Sequence, residues 1–156
     1  MMLVRDAMTS RPMTIDAEAP VGTAVAVMRE RRLRHLPVVD DAGRLVGIVT
    51  DRDLRSAVLG SAIADCVPSI QGRLRSMATR LDELRIAQVM TWGALTIGPE
   101  APLAQAAAIM ADAKVGSLPV VDHGRLVGIV TEHDVLKALA ATLPSIRGDD
   151  PDSYFW

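Results

Sequence analysis

The sequence predicts a mixed α/β (α+β) fold built from two β-α-β-β-α units. The first observation is an internal repeat, because residues 36–50 return almost unchanged as residues 118–131. The second is that each copy alternates short runs rich in branched residues with segments of helical periodicity. The third is size: a copy of about 55 residues is too small for an ample core of its own. The two copies should therefore pack on each other.

The register of the repeat extends along most of the chain. Pro37 and Pro119 lie 82 positions apart, and the offset falls to 81 where residues 41–43 face only residues 123–124. Missing a repeat of this kind would misassign the whole fold. The 82-residue offset also pairs Met8-Thr9 with Met90-Thr91, Thr14-Ile15 with Thr96-Ile97, Glu18-Ala19-Pro20 with Glu100-Ala101-Pro102, and Met28 with Met110.

Each copy predicts five elements in the same order. Pro20 suits the first position of a helix, because the N–H that proline lacks would have no partner there. Gly60 and Pro144 are helix-ending residues after the last helix of each copy. The predicted elements are a strand at 13–15, a helix at 20–32, strands at 36–39 and 45–49, a helix at 51–59, and then a strand at 95–97, a helix at 102–113, strands at 118–121 and 125–130, and a helix at 132–141.

The units are assigned to residues 1–60 and 85–143, with a linker at 61–84 and a tail at 144–156. Within the linker, apolar residues recur at helical spacing among arginines, which predicts an amphipathic helix with a solvated basic face. A nucleic-acid-binding helix is the lesser alternative, because the net charge of the chain is negative. The apolar positions are Leu74, Met77, Ala78, Leu81 and Leu84, and the arginines are Arg73, Arg75, Arg80 and Arg85.

Composition indicates an ordinary globular protein. Apolar residues make up 49% and charged residues 23% of the chain, and the net charge is −2. No global basic field favours nucleic acid or an anionic membrane. The single cysteine, Cys66, cannot form an internal disulfide, and the N-terminus lacks the apolar segment of a signal peptide, so we expect a cytoplasmic protein. No uncharged run approaches the roughly 18 residues of a membrane span.

The motif Gly-x-x-Thr-x-x-Asp ends the second strand of each apolar pair, as Gly47, Thr50 and Asp53 and again as Gly128, Thr131 and Asp134. Thr-x-x-Asp at a strand-to-helix turn is typical of a capping box. The same residues suit an anion and sugar site: helix N–H groups and the threonine hydroxyl face a phosphate, and the carboxylate accepts a ribose diol. Spacing alone leaves both interpretations open.

In these motifs and their spacing, each copy resembles a cystathionine-β-synthase (CBS) domain. The resemblance covers residues 3–59 and 85–141, and the second copy matches as fully as the first. In the first copy it is carried by Val4-Arg5-Asp6-Ala7-Met8-Thr9, the Thr14-Ile15 strand, the Pro20 helix, Arg34-His35-Leu36-Pro37-Val38-Val39-Asp40 and Gly47-Ile48-Val49-Thr50-Asp51-Arg52-Asp53.

The resemblance implies two units packed through their sheets as a pseudo-two-fold pair, with two clefts that bind AMP, ADP, ATP or S-adenosylmethionine. It implies a regulatory module without a catalytic or metal site, and a regulated protein partner that the sequence does not name. Stand-alone members pair into a disc of four units, so a homodimer is expected. The alternative is a structural pairing module that has no physiological ligand.

Carried over residue by residue, the resemblance implies that Asp53 and Asp134 hold the ribose while Thr50 and Thr131 hold the phosphate. Four further residues at equivalent positions complete the expected sites: His35, Arg52, Ser117 and His133. The expected enclosure of the adenine consists of Thr14, Ile15, Pro37 and Val38 in the first copy and Thr96, Ile97, Pro119 and Val120 in the second.

The two copies differ in charge around the motif, which leads us to expect that the first site favours phosphorylated ligands. Arg52 has the strongest claim on a phosphate because it precedes the ribose aspartate. A solvated helix end is the alternative explanation for most of these cations. The first copy carries Arg29, Arg31, Arg32, Arg34, His35 and Arg52, where the second has Ala111, Ala113, Lys114, Gly116, Ser117 and His133.

Two features lie outside the motif. Helices over residues 101–113 and 135–143 are apolar nearly all round, which is typical of helices buried on both sides and supports the homodimer. Three of the chain's four aromatic residues, Tyr154, Phe155 and Trp156, follow an acidic spacer at the end of the tail, and we expect them to dock on a surface groove.

Overall fold

The computed structural model describes residues 1–59 and 70–143, and the mixed α/β fold is confirmed. The expected docking of the aromatic tail, Cys66 and the first part of the linker lie outside the described residues. The first repeat contains α1 (Val4–Ala7), β1 (Thr9–Ser10), β2 (Ile15–Asp16), α2 (Val21–Arg31), β3 (His35–Val39), β4 (Leu45–Thr50) and α3 (Asp51–Leu59).

The linker helix and the second repeat follow the same plan. No helix within the described ranges is both long and apolar enough to cross a bilayer. The remaining elements are α4 (Ile70–Glu83), α5 (Ile86–Val89), β5 (Thr91–Trp92), α6 (Leu103–Ala113), β6 (Ser117–Asp122), β7 (Arg125–Thr131) and α7 (Glu132–Thr142).

The strands form two sheets, and each sheet contains a strand from the other repeat. One sheet has the order β2-β3-β4-β5 and the other β1-β7-β6. β5 pairs with β4 of the first repeat, while β1 pairs with β7 of the second repeat. We call residues 3–13 and 85–95, which carry these strands, the first and second arms. The repeats therefore exchange their arms, which the sequence analysis did not predict.

Packing anchors the exchange in two separate cores. Val4 of the first arm is fully buried among residues of the second unit, including Leu118 and Val130. Ile86 of the second arm is fully buried in the core of the first unit, beside Met90. Burying one such side chain stabilises a fold by roughly 1.5–3 kcal/mol. Neither unit has a complete core without the arm of the other repeat.

The glycine of the Gly-x-x-Thr-x-x-Asp motif makes this pairing sterically feasible. A Cβ atom on Gly47 would lie 2.3 Å from the carbonyl oxygen of Thr91. A Cβ atom on Gly128 would lie 2.5 Å from the sulfur of Met8 and 3.1 Å from the carbonyl oxygen of Thr9. A glycine just before a helix N-terminus often lets a ligand approach the backbone closely. The structure shows that the arm of the other repeat makes the approach.

The observed elements differ from the predicted ones mainly at the first strand of each unit. β2 begins at Ile15, since only Ile15 and Asp16 pair with β3, and Thr14 is exposed. In the second unit the predicted strand at 95–97 is reduced to a single bridge between Ile97 and Val120. Short pairing of this kind leaves too few apolar positions to produce a strand pattern.

Pro20 caps its helix instead of occupying the first helical position. Its backbone is extended, with φ −61° and ψ 145°, and its carbonyl oxygen accepts the N–H of Thr23 at 3.0 Å. Pro102 occupies the same position before α6. Because a cap residue also needs no helical N–H partner, the missing donor is tolerated there.

The predicted linker helix is present as α4, although its apolar face is narrower than expected. Met77 and Leu81 pack against the core of the first unit, and Leu84 joins them just after the helix. Ala78 is exposed. The helix therefore covers one side of the first unit, and its contacts with α2 and α3 hold it there.

We expect Gly47→Ala to destabilise the protein by about 1–3 kcal/mol, because the added methyl group must displace the arm carbonyl of Thr91. Gly98→Ala is the matched control, since a Cβ atom there meets nothing within 4 Å. Urea unfolding of both variants measures the difference. Equal stability of Gly47→Ala and Gly98→Ala would contradict the proposed steric role of the glycine.

Candidate functional site

The threonine and aspartate of each motif form a complete capping box. The backbone N–H of Thr50 donates to Asp53 Oδ2 at 2.9 Å, and the Thr50 hydroxyl donates to the same oxygen at 2.7 Å. The N–H of Asp53 in turn donates to Thr50 Oγ1 at 3.2 Å. Thr131 and Asp134 repeat these bonds at 2.8, 2.7 and 3.3 Å. The structural interpretation of the motif therefore holds in both copies.

The capping bonds use only one oxygen of each carboxylate. Among the described residues, no hydrogen bond reaches Oδ1 of Asp53 or Oδ1 of Asp134. A carboxylate can accept bonds on both oxygens, so Oδ1 is available to a ligand hydroxyl. The single proton of each threonine hydroxyl is already donated to the cap. In this geometry Thr50 and Thr131 orient the carboxylates, and their hydroxyls donate to no other group.

Two cavities lie at the two caps. The first cavity, about 570 Å³, lies beside Thr50 and Asp53 and is completed by residues of the second repeat at 91–95 and 113–117. The second cavity, about 610 Å³, lies beside Thr131 and Asp134 and is completed by residues of the first repeat at 9–13 and 32–35. Each cavity is thus a composite of both repeats. Its walls include the arm exchanged from the other repeat.

Eight of the expected site residues line a cavity, while the other eight do not. The first cavity brings together His35, Thr50, Arg52, Asp53 and Ser117. The second brings together His35, Thr131, His133 and Asp134. The residues expected around the adenine line neither of these cavities: Thr14, Ile15, Pro37, Val38, Thr96, Ile97, Pro119 and Val120.

Burial explains why six of those residues stay outside the cavities, while Thr14 and Thr96 are exposed. Val38 and Val120 are fully buried within the two cores. Successive strand residues face opposite sides, so a central strand buried on both faces offers no side chain to a cleft at its end. Apolar surface comes instead from Ile48 and Leu95 in the first cavity, and from Met13 and Ile129 in the second. The repeat offsets pair Met13 with Leu95 and Ile48 with Ile129.

The cations are divided between the cavities and do not cluster at the first motif. Arg32 lines the second cavity, and its counterpart Lys114 lines the first. Arg29 and Arg31 line neither cavity, which corrects the expected charge difference between the sites. The pseudo-two-fold arrangement places the end of α2 or α6 over the motif of the other unit. The cationic residues are Arg34, Arg52, Arg55 and Lys114 in the first cavity and Arg11, Arg32 and Arg34 in the second.

Three of these cations occupy left-handed backbone positions, which glycine adopts more readily. Arg11 has φ 51°, while Arg32 and Lys114 have φ 54° and 55° at the ends of their helices. A left-handed conformation costs an L-residue roughly 1–2 kcal/mol. Glycine, the common residue after a helix, would remove that cost. Each of these three positions therefore has a cationic side chain at a cavity wall, although glycine would make the backbone more stable there.

His35 lies between the two cavities and lines both. A Cβ atom on Gly116 would be only 3.1 Å from His35 Nε2, so the ring packs directly against the second unit. Burial lowers the pKa of His35, although the carboxylates of Asp51 and Glu132 act in the opposite direction. Burial therefore favours the neutral form of the imidazole in the folded protein.

Comparison with known proteins identifies the family of the chain. A family sequence model described as CBS domain matches residues 4–60 and 86–141. The chain belongs to the CBS domain family. A CBS domain-containing protein of Dictyostelium discoideum is 33% identical over 149 residues, which are 93% of this chain and 96% of that protein.

Solved CBS domain pairs share the fold along most of the chain. The structure of CBSX2 from Arabidopsis thaliana in complex with AMP has a TM-score of 0.72 and 28% identity, covering 90% of this chain and 98% of the other. The CBS domain pair of MJ0100, in complex with 5-methylthioadenosine and S-adenosyl-L-methionine, has a TM-score of 0.71 and 26% identity, covering 92% and 99%.

Other curated relatives are much longer than the matched region. In seven of them the match spans only 21–25% of the protein, and these include homoserine O-acetyltransferase and inosine-5′-monophosphate dehydrogenase. The CBS pair is therefore one part of those multidomain proteins. The activities in their names describe proteins of which this chain matches about a quarter.

We expect stability to fall as the pH drops from 7 through 6.5. The lowered pKa of His35 means that the unfolded chain binds a proton near pH 6.5 while the folded protein does not, so protonation favours unfolding. His35→Asn should flatten this dependence. His123→Asn, which replaces an exposed imidazole, is the control. Melting temperatures between pH 7.5 and 5.5 that fall equally in His35→Asn and wild type would contradict the assignment.

Proposed function

We propose that the chain is a regulatory module that binds an adenosine ligand, namely AMP, ADP, ATP or S-adenosylmethionine, in its two cavities. One observation carries the proposal: each capped aspartate has one carboxylate oxygen that accepts no hydrogen bond from the described residues and lies beside a composite, cation-lined cavity. Two similar CBS pairs, which bind AMP and S-adenosyl-L-methionine respectively, support it. The proposal assigns the chain no catalytic role.

Each part of the ligand has a matching surface in the proposed site. Oδ1 of Asp53 or Asp134 accepts the ribose hydroxyls in charge-assisted hydrogen bonds. The N-termini of α3 and α7 favour negative charge, so the phosphate is placed near them. Apolar side chains, such as Leu95 in the first cavity and Met13 in the second, pack against the base.

The charge of the cavities favours phosphorylated ligands. Apart from the histidines, the first cavity has four cationic and three acidic side chains, and the second has three and two. Arg32 and Lys114 are cationic residues at left-handed backbone positions that glycine would occupy with less strain. A cation at such a position supports a role in binding an anion. S-adenosylmethionine offers these cations one carboxylate, while its positive sulfonium and ammonium groups are repelled by them. Among the four candidates, the adenine nucleotides therefore fit best.

The second candidate function is a structural pairing module without a ligand. It is favoured by the fully formed capping boxes, because they give Thr-x-x-Asp a sufficient structural role. Both functions involve a homodimer of four CBS units. The dimer is supported by Leu136 and Leu139 of α7 and by Leu143 just after it, which are 62%, 52% and 49% exposed. An exposed row of large apolar side chains is typical of an interaction surface.

We expect Asp53→Asn and Asp134→Asn to separate binding from capping. The asparagine carbonyl can accept the capping bonds in place of Oδ2, while its NH₂ group cannot accept a ribose hydroxyl in place of Oδ1. Loss of charge-assisted bonds worth about 1.5–3 kcal/mol should weaken AMP binding at that site roughly 10- to 100-fold. Stability should fall by about 1 kcal/mol or less. Calorimetric titration and thermal melting measure the two effects.

Two further variants complete this test. Thr50→Ala removes the capping hydroxyl but keeps both Asp53 oxygens, so it should lower stability by about 1 kcal/mol and affect binding less than Asp53→Asn does. Asp112→Asn, an exposed charge outside both cavities, is the neutral control. Wild-type protein that shows no thermal shift with AMP, ATP or S-adenosylmethionine would support the structural pairing module.

We expect light scattering to show a dimer at micromolar concentration, and the double variant Leu136→Lys, Leu139→Lys to be a monomer. Two charges in an apolar interface cannot be solvated without separating the chains. Lys137→Gln, exposed on another face of α7, should remain dimeric. A wild-type mass of one chain, or an unchanged dimer in the double variant, would exclude α7 as the interface.

A further inference from the structure

Arg34 and His35 stand on a wall that separates the two cavities. Both residues line both cavities, and so do Gly116 and Glu132 from the second unit. Gly116 is the counterpart of Arg34 under the 82-residue offset, and Ser117 is the counterpart of His35. Equivalent positions of the two repeats therefore meet at the pseudo-two-fold axis.

This wall is one side chain thick. A Cβ atom on Gly116 would already lie 3.1 Å from His35 Nε2. Backbone bonds fix both sides, since the N–H of Asp51 donates to the Arg34 carbonyl and the N–H of Glu132 donates to the Gly116 carbonyl, each at 3.0 Å. Two large side chains cannot share this space. The first repeat has the large pair Arg34-His35 at this wall, and the second repeat has the small pair Gly116-Ser117.

One consequence is that the cavities share a single arginine. The other lysines and arginines that line these cavities each belong to one of them, whereas Arg34 lines both. Its side chain is exposed, and no ion pair engages it within the described ranges. A guanidinium group makes its paired hydrogen bonds to one phosphate at a time. Two bound phosphates must therefore compete for it.

We propose, building on the adenosine-binding function above, that Arg34 couples the two sites, so that a phosphorylated ligand in one cavity weakens binding of a second in the other. The first phosphate takes the shared guanidinium. The second phosphate then binds without the contribution of Arg34. Because such coupling is reciprocal, it does not depend on which cavity fills first.

The coupling between the two sites depends on whether the ligand carries a phosphate. AMP and ATP bring a phosphate to the wall and should show it, whereas adenosine carries no phosphate and should bind the two cavities independently. Glu132 and Asp51 face the same wall and are present with every ligand, so they do not produce this difference. The comparison between AMP and adenosine therefore isolates the contribution of the phosphate in wild-type protein.

The test is calorimetric titration with AMP of the wild type and of two single-site proteins. Asp134→Asn gives the affinity of the first cavity alone, and Asp53→Asn gives that of the second. These two constants define the isotherm of two independent sites. We expect the second AMP to bind wild type at least tenfold more weakly than that isotherm requires, with NMR shifts of Thr91 and Thr9 reporting the first and second cavity.

Adenosine should be titrated into the same three proteins. The wild-type isotherm for adenosine should match the one calculated for two independent sites from the two single-site variants. In Arg34→Gln the AMP coupling should fall to within threefold of independence, while Arg29→Gln, an arginine outside both cavities, should retain it. Coupling that is absent with AMP, equal with adenosine, or unchanged in Arg34→Gln would overturn the proposal. Binding of neither ligand to wild type would overturn both this proposal and the adenosine-binding function, whereas independent binding would overturn the coupling alone.

Discussion

The close contact between each motif glycine and the exchanged arm is the constraint on which the rest of the structure depends. Gly47 lets the carbonyl of Thr91 approach β4, and Gly128 does the same for Thr9 at β7. Because of that approach, the arm strand pairs at the edge of each sheet and the arm completes each core. The arm residues also lie beside the capping box of the opposite unit. A CBS pair of this kind is consequently one cooperative structure, because neither repeat keeps its core or its cavity alone.

The capping box and the binding site are compatible uses of one carboxylate. Oδ2 of Asp53 holds the start of α3, while Oδ1 has no hydrogen-bond partner among the described residues. The cap fixes the side chain before any ligand arrives, which lowers the entropy lost on binding. The same preorganisation explains why sequence spacing could not choose between a structural and a functional motif: Thr-x-x-Asp satisfies both.

Local patterns predicted much of the fold, whereas contacts between repeats were not predictable. Helical periodicity and branched runs gave α2, β3, β4 and α3 to within one or two residues, because those signals lie within each segment. The arm exchange pairs residues 43–45 positions apart between β4 and β5 and 118–120 positions apart between β1 and β7. Two copies with the same order of elements give one pattern whether an arm folds onto its own unit or the other. The burial of Val38 was not predictable for a related reason, since burial on both faces of a strand is decided by tertiary packing.

A crystal structure of the protein with AMP would show whether each site is built from both repeats. We predict ribose oxygens within hydrogen-bond distance of Oδ1 of Asp53 or Asp134. We also predict that the phosphate contacts a cation from the opposite repeat, Lys114 in the first cavity or Arg32 in the second. AMP bound entirely by residues of one repeat, or bound away from both capped aspartates, would contradict it.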